Sequence, residues 1–164
     1  LQDATRRHLI LRTAWIAGAH GGNFAKTILR LASECDSLRV VADQWGTPTS
    51  AALLADITAH LVRQQQRGDD LQAFPYGIYH CVAGGDTNWC DYARFVVDEA
   101  IRAGRKLRAK PETITAISTA EYPTAASRPA NSRLDTRKLQ HAFGLELPHW
   151  QRGLRHVLQQ ILGS

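Results

Sequence analysis

The sequence predicts an α/β fold, and three observations predict it. Short apolar runs recur at residues 9–15 (LILRTAW), 38–42 (LRVVA), 77–82 (GIYHCV) and 114–117 (ITAI). Between them lie longer stretches whose apolar residues fall at helical spacing. There is no internal repeat or low-complexity tract that would suggest a solenoid or a tail. Strands alternating with helices are the pattern of helices packed on a mainly parallel sheet.

Taken in order, residues 9–15 form a strand apolar enough to lie inside a parallel sheet. Gly18, Gly21 and Gly22 then turn the chain into a helix over 23–33, with Phe24, Ile28, Leu29 and Leu31 on its apolar side. A short strand at 38–42 leads into the turn-rich DQWGTPT loop at 43–49, and Thr49 or Ser50 caps a helix from 51 to about 65. The polar stretch 64–70 is a surface loop, and 77–82 a strand. Thr87 or Asn88 caps a helix over 89–102. Residues 104–111 form a basic connector, 114–117 a strand, and 120–133, with Pro123 and Pro129, an extended loop. Two helices close the chain, at 135–143 and 148–162, with Pro148 at the favoured first position.

Composition narrows the class. A chain of 164 residues, 44% hydrophobic and 21% charged, can bury one sizeable core. It has no apolar run near the roughly 20 residues that span a bilayer. Cys35, Cys81 and Cys90 are odd in number and lack a C-x-x-C spacing, which favours reduced thiols and a cytoplasmic location. A net charge of +5 favours anionic ligands without indicating nucleic acid. The chain contains no methionine and begins at Leu1, so it reads as a C-terminal fragment of something longer, with residues 1–7 as the polar tail of a helix.

Most catalytic constellations are missing. The seven histidines show no metal-ligand spacing, His149 and His156 reading as a solvated helix face, and there is no G-x-S-x-G elbow. Arg105, Lys106, Arg108 and Lys110 read as a solvated basic surface rather than a phosphate-backbone contact. The glycine loop at 18–22 has the strand–turn–helix context of a dinucleotide site, but Phe24 stands where a third glycine is required and His20 breaks Gly-x-Gly.

Four segments together carry a resemblance: RTAWIAGAHGGNFAKTILRLA, VVADQWGTPTSAALLAD, GIYHCVAGGDTNWCDYA and YPTAASRPANSRLDTRKL. In that order they resemble the C-terminal half of the dTDP-4-dehydrorhamnose reductase family, within the extended short-chain dehydrogenases. The DQ-x-G-x-PT and RP-x-NS-x-L segments are its most specific marks. The resemblance implies the C-terminal part of a Rossmann-type reductase. Residues 1–34 would supply a late sheet strand and its helix, 35–164 the smaller substrate-binding domain, and the cofactor-binding region would be absent. The family reduces the 4-keto group of a dTDP-linked deoxyhexulose with NADPH or NADH, giving dTDP-L-rhamnose for bacterial surface polysaccharide. Its Tyr-x-x-x-Lys pair has no counterpart here, because His80, Ala83, Val96 and Ala126 follow Tyr76, Tyr79, Tyr92 and Tyr122 at that spacing. The fragment is accordingly expected to hold no cofactor and to be inactive alone.

The resemblance also suggests site residues. Trp15 would lie beside the sugar, its indole face suiting the apolar side of a deoxysugar. Asn23 and Phe24 would open a helix next to a phosphate. Gln44 and Thr49 would contact nucleotide or sugar. Arg128 would take the pyrophosphate in bidentate fashion, with Asn131 assisting it or ordering the loop. No membrane or nucleic-acid partner is expected; a homodimer, a domain swap or a disordered first segment is, since most sheet neighbours of the strand at 9–15 would lie upstream and leave its edges exposed. Two alternatives stand beside this reading: a regulatory-subunit relative that has lost catalysis, and a stand-alone module for anionic ligands.

Overall fold

The computed structural model describes residues 7–67, 73–122 and 128–163. The expected helix tail at 1–6, residues 68–70 of the expected surface loop and 123–127 of the expected extended loop lie outside these. The described residues form a mixed α/β arrangement built on parallel strand pairs. Strand β1 (Leu9–Arg12) pairs in parallel with β6 (Gly77–His80), β2 (Ile16–Ala17) with β5 (Thr49–Ser50), and β3 (Leu38–Val41) with β8 (Ile114–Ile117). One antiparallel pair, β4 (Trp45–Gly46) with β7 (Thr87–Asn88), crosses the loop expected at 43–49.

Local chemistry explains where the helices begin. Helix α1 (Phe24–Glu34) starts at Asn23, whose side chain accepts the Lys26 amide at 3.1 Å. Helix α2 (Ala51–Arg67) starts at Ser50, whose hydroxyl accepts the Leu53 amide at 3.2 Å. Helix α3 (Trp89–Arg102) starts at Asn88, which accepts the Asp91 amide at 2.9 Å. Helix α4 (Arg137–Phe143) ends on Gly144 in the left-handed conformation, φ 62°. Helix α5 (Trp150–Leu162) begins two residues later than expected, with His149 as its cap. Pro148 therefore stays outside the helix. Its carbonyl accepts the Gly84 amide at 2.8 Å while Trp150 N–H donates back to the Gly84 carbonyl at 2.9 Å, and this pairing holds 148–149 extended.

The first strand is also shorter than expected. After Arg12 the chain leaves the β1 ladder, and Trp15 takes φ 48°, the one left-handed non-glycine residue among those described. That kink re-aims the chain so that Ile16 and Ala17 meet Thr49 and Ser50 instead of β6.

Two apolar clusters result. One joins Ala25, Ile28 and Ala32 of α1 to Tyr92, Val96 and Val97 of α3 and to Trp150, Leu154 and Leu158 of α5. The alanines on α1 recur at helical spacing and let α3 approach closely. The other joins Ile57 and Leu61 of α2 to Tyr79, Cys81, Leu139 and Phe143, with Leu9 and Leu11 packed against it. Both clusters draw on residues from either side of position 34. Of the basic connector, Arg108 is committed to structure: it forks onto Asp36 at 2.9 and 2.8 Å and donates to the Glu34 carbonyl at 2.8 Å, closing the end of α1. Among the described residues no helix is long and apolar enough to cross a membrane.

All three cysteines are free thiols. Cys81 and Cys90 are buried, and burial pushes the Cys81 thiol up to about 11 and raises Cys90 as well. Since the thiolate is the reactive form, a thiol titration of the folded chain is expected to modify Cys35 alone at neutral pH, with the other two reacting only in denaturant. Rapid reaction of two or more thiols in the native chain would contradict this packing.

Candidate functional site

A cleft of about 740 Å³ opens between α1, β3 and the segments carrying Tyr122 and Arg128. Helix α1 supplies Phe24, Thr27, Ile28 and Leu31; β3 supplies Arg39, Val40 and Val41. Trp15, Gln44 and Trp89 form the inner wall. The rim carries Tyr122, Arg128, Pro129 and Ser132. Apolar side chains thus line the interior and two guanidiniums stand on its walls, which suits a flat, partly apolar molecule bearing an anionic group.

The inner wall is a stack of aromatic rings. Trp15 and Trp89 lie with centroids 3.6 Å apart and planes 14° from parallel. Phe24 tilts against Trp89 at 4.5 Å and against Tyr92 at 4.9 Å. Tyr92 is fully buried behind them, and burial raises its phenol, keeping it neutral. A Cβ at Gly46 would stand 2.5 Å from Trp15 Cε2 and 2.8 Å from Cζ2 and Nε1, so the Gly46 backbone lies over the indole. Trp15 is therefore held between Gly46 and Trp89. The open indole face expected for a sugar is therefore covered by Gly46 and Trp89, although Trp15 is among the residues lining the cleft.

This arrangement gives Gly46 a specific role. Gly46 is not in the left-handed region, so alanine there meets a ring and not a forbidden backbone. Gly46→Ala is expected to cost about 1–3 kcal/mol by overpacking and to push Trp15 off Trp89. A lowered urea midpoint together with altered tryptophan fluorescence checks it; an unchanged spectrum would place Trp15 elsewhere.

Of the seven residues singled out from the sequence, four line the cleft: Trp15, Phe24, Gln44 and Arg128. Asn23 has its amide committed locally, accepting Lys26 N–H and donating to the Gly18 carbonyl at 2.7 Å. Thr49 is fully buried. It donates to the Thr47 carbonyl at 3.1 Å and accepts the Ala83 amide at 3.3 Å, so it ties two segments together and offers no surface to a ligand. Asn131 orders its loop: its side-chain oxygen accepts both the amide and Nε of Arg133, and its backbone bridges to Trp45. Residues the sequence reading did not select are Trp89, Arg39, Thr27, Tyr122 and Ser132. Trp89 reads as the first turn of an amphipathic helix, and nothing local marks it as the partner of Trp15.

Electrostatics distinguish the two arginines. Arg39 pairs with Glu121 at 3.2 Å. Glu121 is itself held below the usual carboxylate range, first by the Ser118 amide, then by the Ser118 hydroxyl. Among the described residues Arg128 has no ion pair. At the start of α1 the Asn23 side chain takes the amide of Lys26, one of the orphan donors of the first turn. Among the described residues there is also no group of acidic, histidine or cysteine side chains that could hold a metal ion.

Fold and cleft together describe the class: an α/β unit whose cleft has an aromatic inner wall and two arginines, Arg39 and Arg128, in its lining. The chain belongs to the RmlD substrate binding domain family, whose model matches residues 1–162. It is 48% identical over 161 residues to the dTDP-4-dehydrorhamnose reductase of Salmonella typhimurium, a match covering 98% of this chain and 52% of that protein. It is 38% identical over 156 residues to the enzyme of the same name from Burkholderia thailandensis, covering 95% and 52%. Among solved structures, dTDP-4-dehydrorhamnose reductase from Bacillus anthracis in complex with NADP superposes with a TM-score of 0.79 at 30% identity, covering 95% of this chain and 50% of that one. The chain thus spans about half the length of the curated relatives it matches. A UDP-N-acetylglucosamine 4-epimerase from Bacillus cereus, 13% identical with a TM-score of 0.61, shares the fold.

Proposed function

We propose that this chain is the substrate-binding half of an NAD(P)H-dependent dTDP-4-dehydrorhamnose reductase, a cytoplasmic enzyme that reduces the 4-keto group of dTDP-4-dehydro-L-rhamnose to give dTDP-L-rhamnose. The observation that carries the reading is the cleft itself, an apolar interior bordered by an arginine with no carboxylate partner among the described residues. In this reading residues 1–34 bring a late strand of the cofactor-binding sheet and its helix, and 35–164 form most of the substrate unit, with β6 returning to pair with β1. The interior receives the apolar faces of the nucleotide sugar, Arg128 holds the diphosphate, and Gln44 and Phe24 shape the wall. Asn23 and Asn131 act one step back, by fixing the start of α1 and the loop behind Arg128.

Proton and hydride transfer are not assigned to residues of this chain. None of its tyrosines is followed by lysine at the spacing the chemistry uses. With dTDP-4-dehydro-L-rhamnose and NADPH, the chain alone is expected to leave the absorbance of the reduced cofactor unchanged. Grafted in place of the matching segment of the Salmonella reductase, it is expected to support turnover. A folded chimera that binds NADPH but neither binds dTDP nor reduces the keto sugar would sink the proposal. The free edge of β1 among the described residues also favours a homodimer or an exchanged strand, which light scattering on the chain decides.

A further inference from the structure

Behind the cleft runs a hydrogen-bonded chain whose direction is forced at every link. The indole N–H of Trp89 can only donate, and it donates to Gln44 Oε1 at 3.2 Å. The amide of Gln44, 8% exposed, must then turn its nitrogen the other way, and Nε2 donates to Thr119 Oγ1 at 3.0 Å. Facing a carboxylate, which can only accept, the Thr119 hydroxyl donates to Asp43 Oδ1 at 2.6 Å. Asp43 ends the chain as a carboxylate and also accepts the Thr119 amide at 3.0 and 2.9 Å. Asp43 is exposed and does not line the cleft. It nonetheless sets the orientation of Gln44, which sets the rotation of the Trp89 ring, which is one face of the slot holding Trp15.

We infer that Asp43, Thr119 and Gln44 are positioning residues that pre-set the Trp89–Trp15 wall for a nucleotide-diphosphate ligand. Gln44, expected to touch ligand, acts mainly through Trp89: both ends of its amide are already engaged. A wall fixed in advance spares the ligand the cost of ordering two large side chains on binding. The ligand class rests on the function proposed above; the relay itself rests on the hydrogen bonds alone.

Two readouts separate the two. The first is the exciton couplet that a pair of stacked indoles gives in circular dichroism, which reports the Trp15–Trp89 geometry without any ligand. The second is calorimetric titration with dTDP. Asp43→Ala, at the surface, and Thr119→Val, which keeps shape but loses the hydroxyl, are expected to diminish the couplet at unchanged helix content. They are also expected to weaken dTDP binding roughly two- to tenfold, the worth of a typical net hydrogen bond. Thr119→Ser, retaining the hydroxyl, is expected to keep both signals. A couplet untouched by Asp43→Ala and Thr119→Val overturns the relay. A diminished couplet with parental dTDP affinity overturns the positioning role. Failure of the parent to bind dTDP overturns the functional reading while leaving the couplet to decide the relay.

Discussion

Arg128→Ala is expected to weaken dTDP binding by roughly ten- to a hundredfold, which corresponds to losing a charge-assisted bidentate contact of about 1.5–3 kcal/mol. Two arginines line the cleft, but they are not equivalent. Arg39 already shares its charge with Glu121 at 3.2 Å, and Glu121 is further engaged by Ser118. Among the described residues Arg128 shares its charge with no carboxylate. Arg128 also precedes Pro129, which biases its backbone toward extended geometry and presents the side chain from a stiffened segment. Arg128→Lys is expected to recover only part of the affinity, since an ammonium is a point charge and cannot reproduce the planar fork. Calorimetry with dTDP, run beside Arg39→Ala, measures the ranking. Equal affinity of Arg128→Ala and the parent would remove Arg128 from the site.

Much of the fold is legible from local chemistry. Asn23, Ser50 and Asn88 announce helices α1, α2 and α3 because a side-chain oxygen at the first turn satisfies an orphan amide, and this depends on few neighbours. Strands β3 and β8 fall where short apolar runs stand. What escapes is set by partners distant in sequence. The loop at 43–49 reads as turns, yet its residues pair with Asn88 and Thr87 on one side and with Ile16 on another. Pro148 reads as the first residue of a helix until Gly84 takes its carbonyl. Thr49 reads as a cap or a ligand contact, whereas burial turns its hydroxyl into an internal tie.

The site divides the same way. Trp15, Phe24, Gln44 and Arg128 are singled out by the resemblance, and one cleft gathers them. Trp89 and Arg39 are not, because stacking on Trp15 and pairing with Glu121 exist only once the chain has folded. The left-handed backbone of Trp15 is equally invisible beforehand. It costs on the order of 1–3 kcal/mol for a bulky residue, and surrounding packing must over-determine it. The slot between Gly46 and Trp89 supplies that packing.

The largest stability effect is expected at Trp150. Its side chain is 5% exposed at the start of α5 and meets Phe95 at 5.0 Å and Tyr92 at 6.0 Å, both edge-on. Its amide donates to the Gly84 carbonyl at 2.9 Å, so the residue joins α5, α3 and the Gly84 segment at one point. Tyr92 in turn packs on Phe24 at 4.9 Å, which places Trp150 directly behind the aromatic wall of the cleft. Trp150→Ala removes an indole from a core that cannot collapse onto the void without moving Tyr92, and is expected to cost about 3–5 kcal/mol. Trp150→Phe, keeping a ring against Phe95 and Tyr92, is expected to cost clearly less. Urea unfolding is the measurement: the midpoint should fall for alanine with the slope nearly constant, because the surface exposed on unfolding barely changes. The folded alanine variant should also show a weakened Trp15–Trp89 couplet, as Tyr92 settles away from the wall. A midpoint shift no larger than that of an exposed control such as Arg152→Ala would mean that Trp150 does not join the two helices as described.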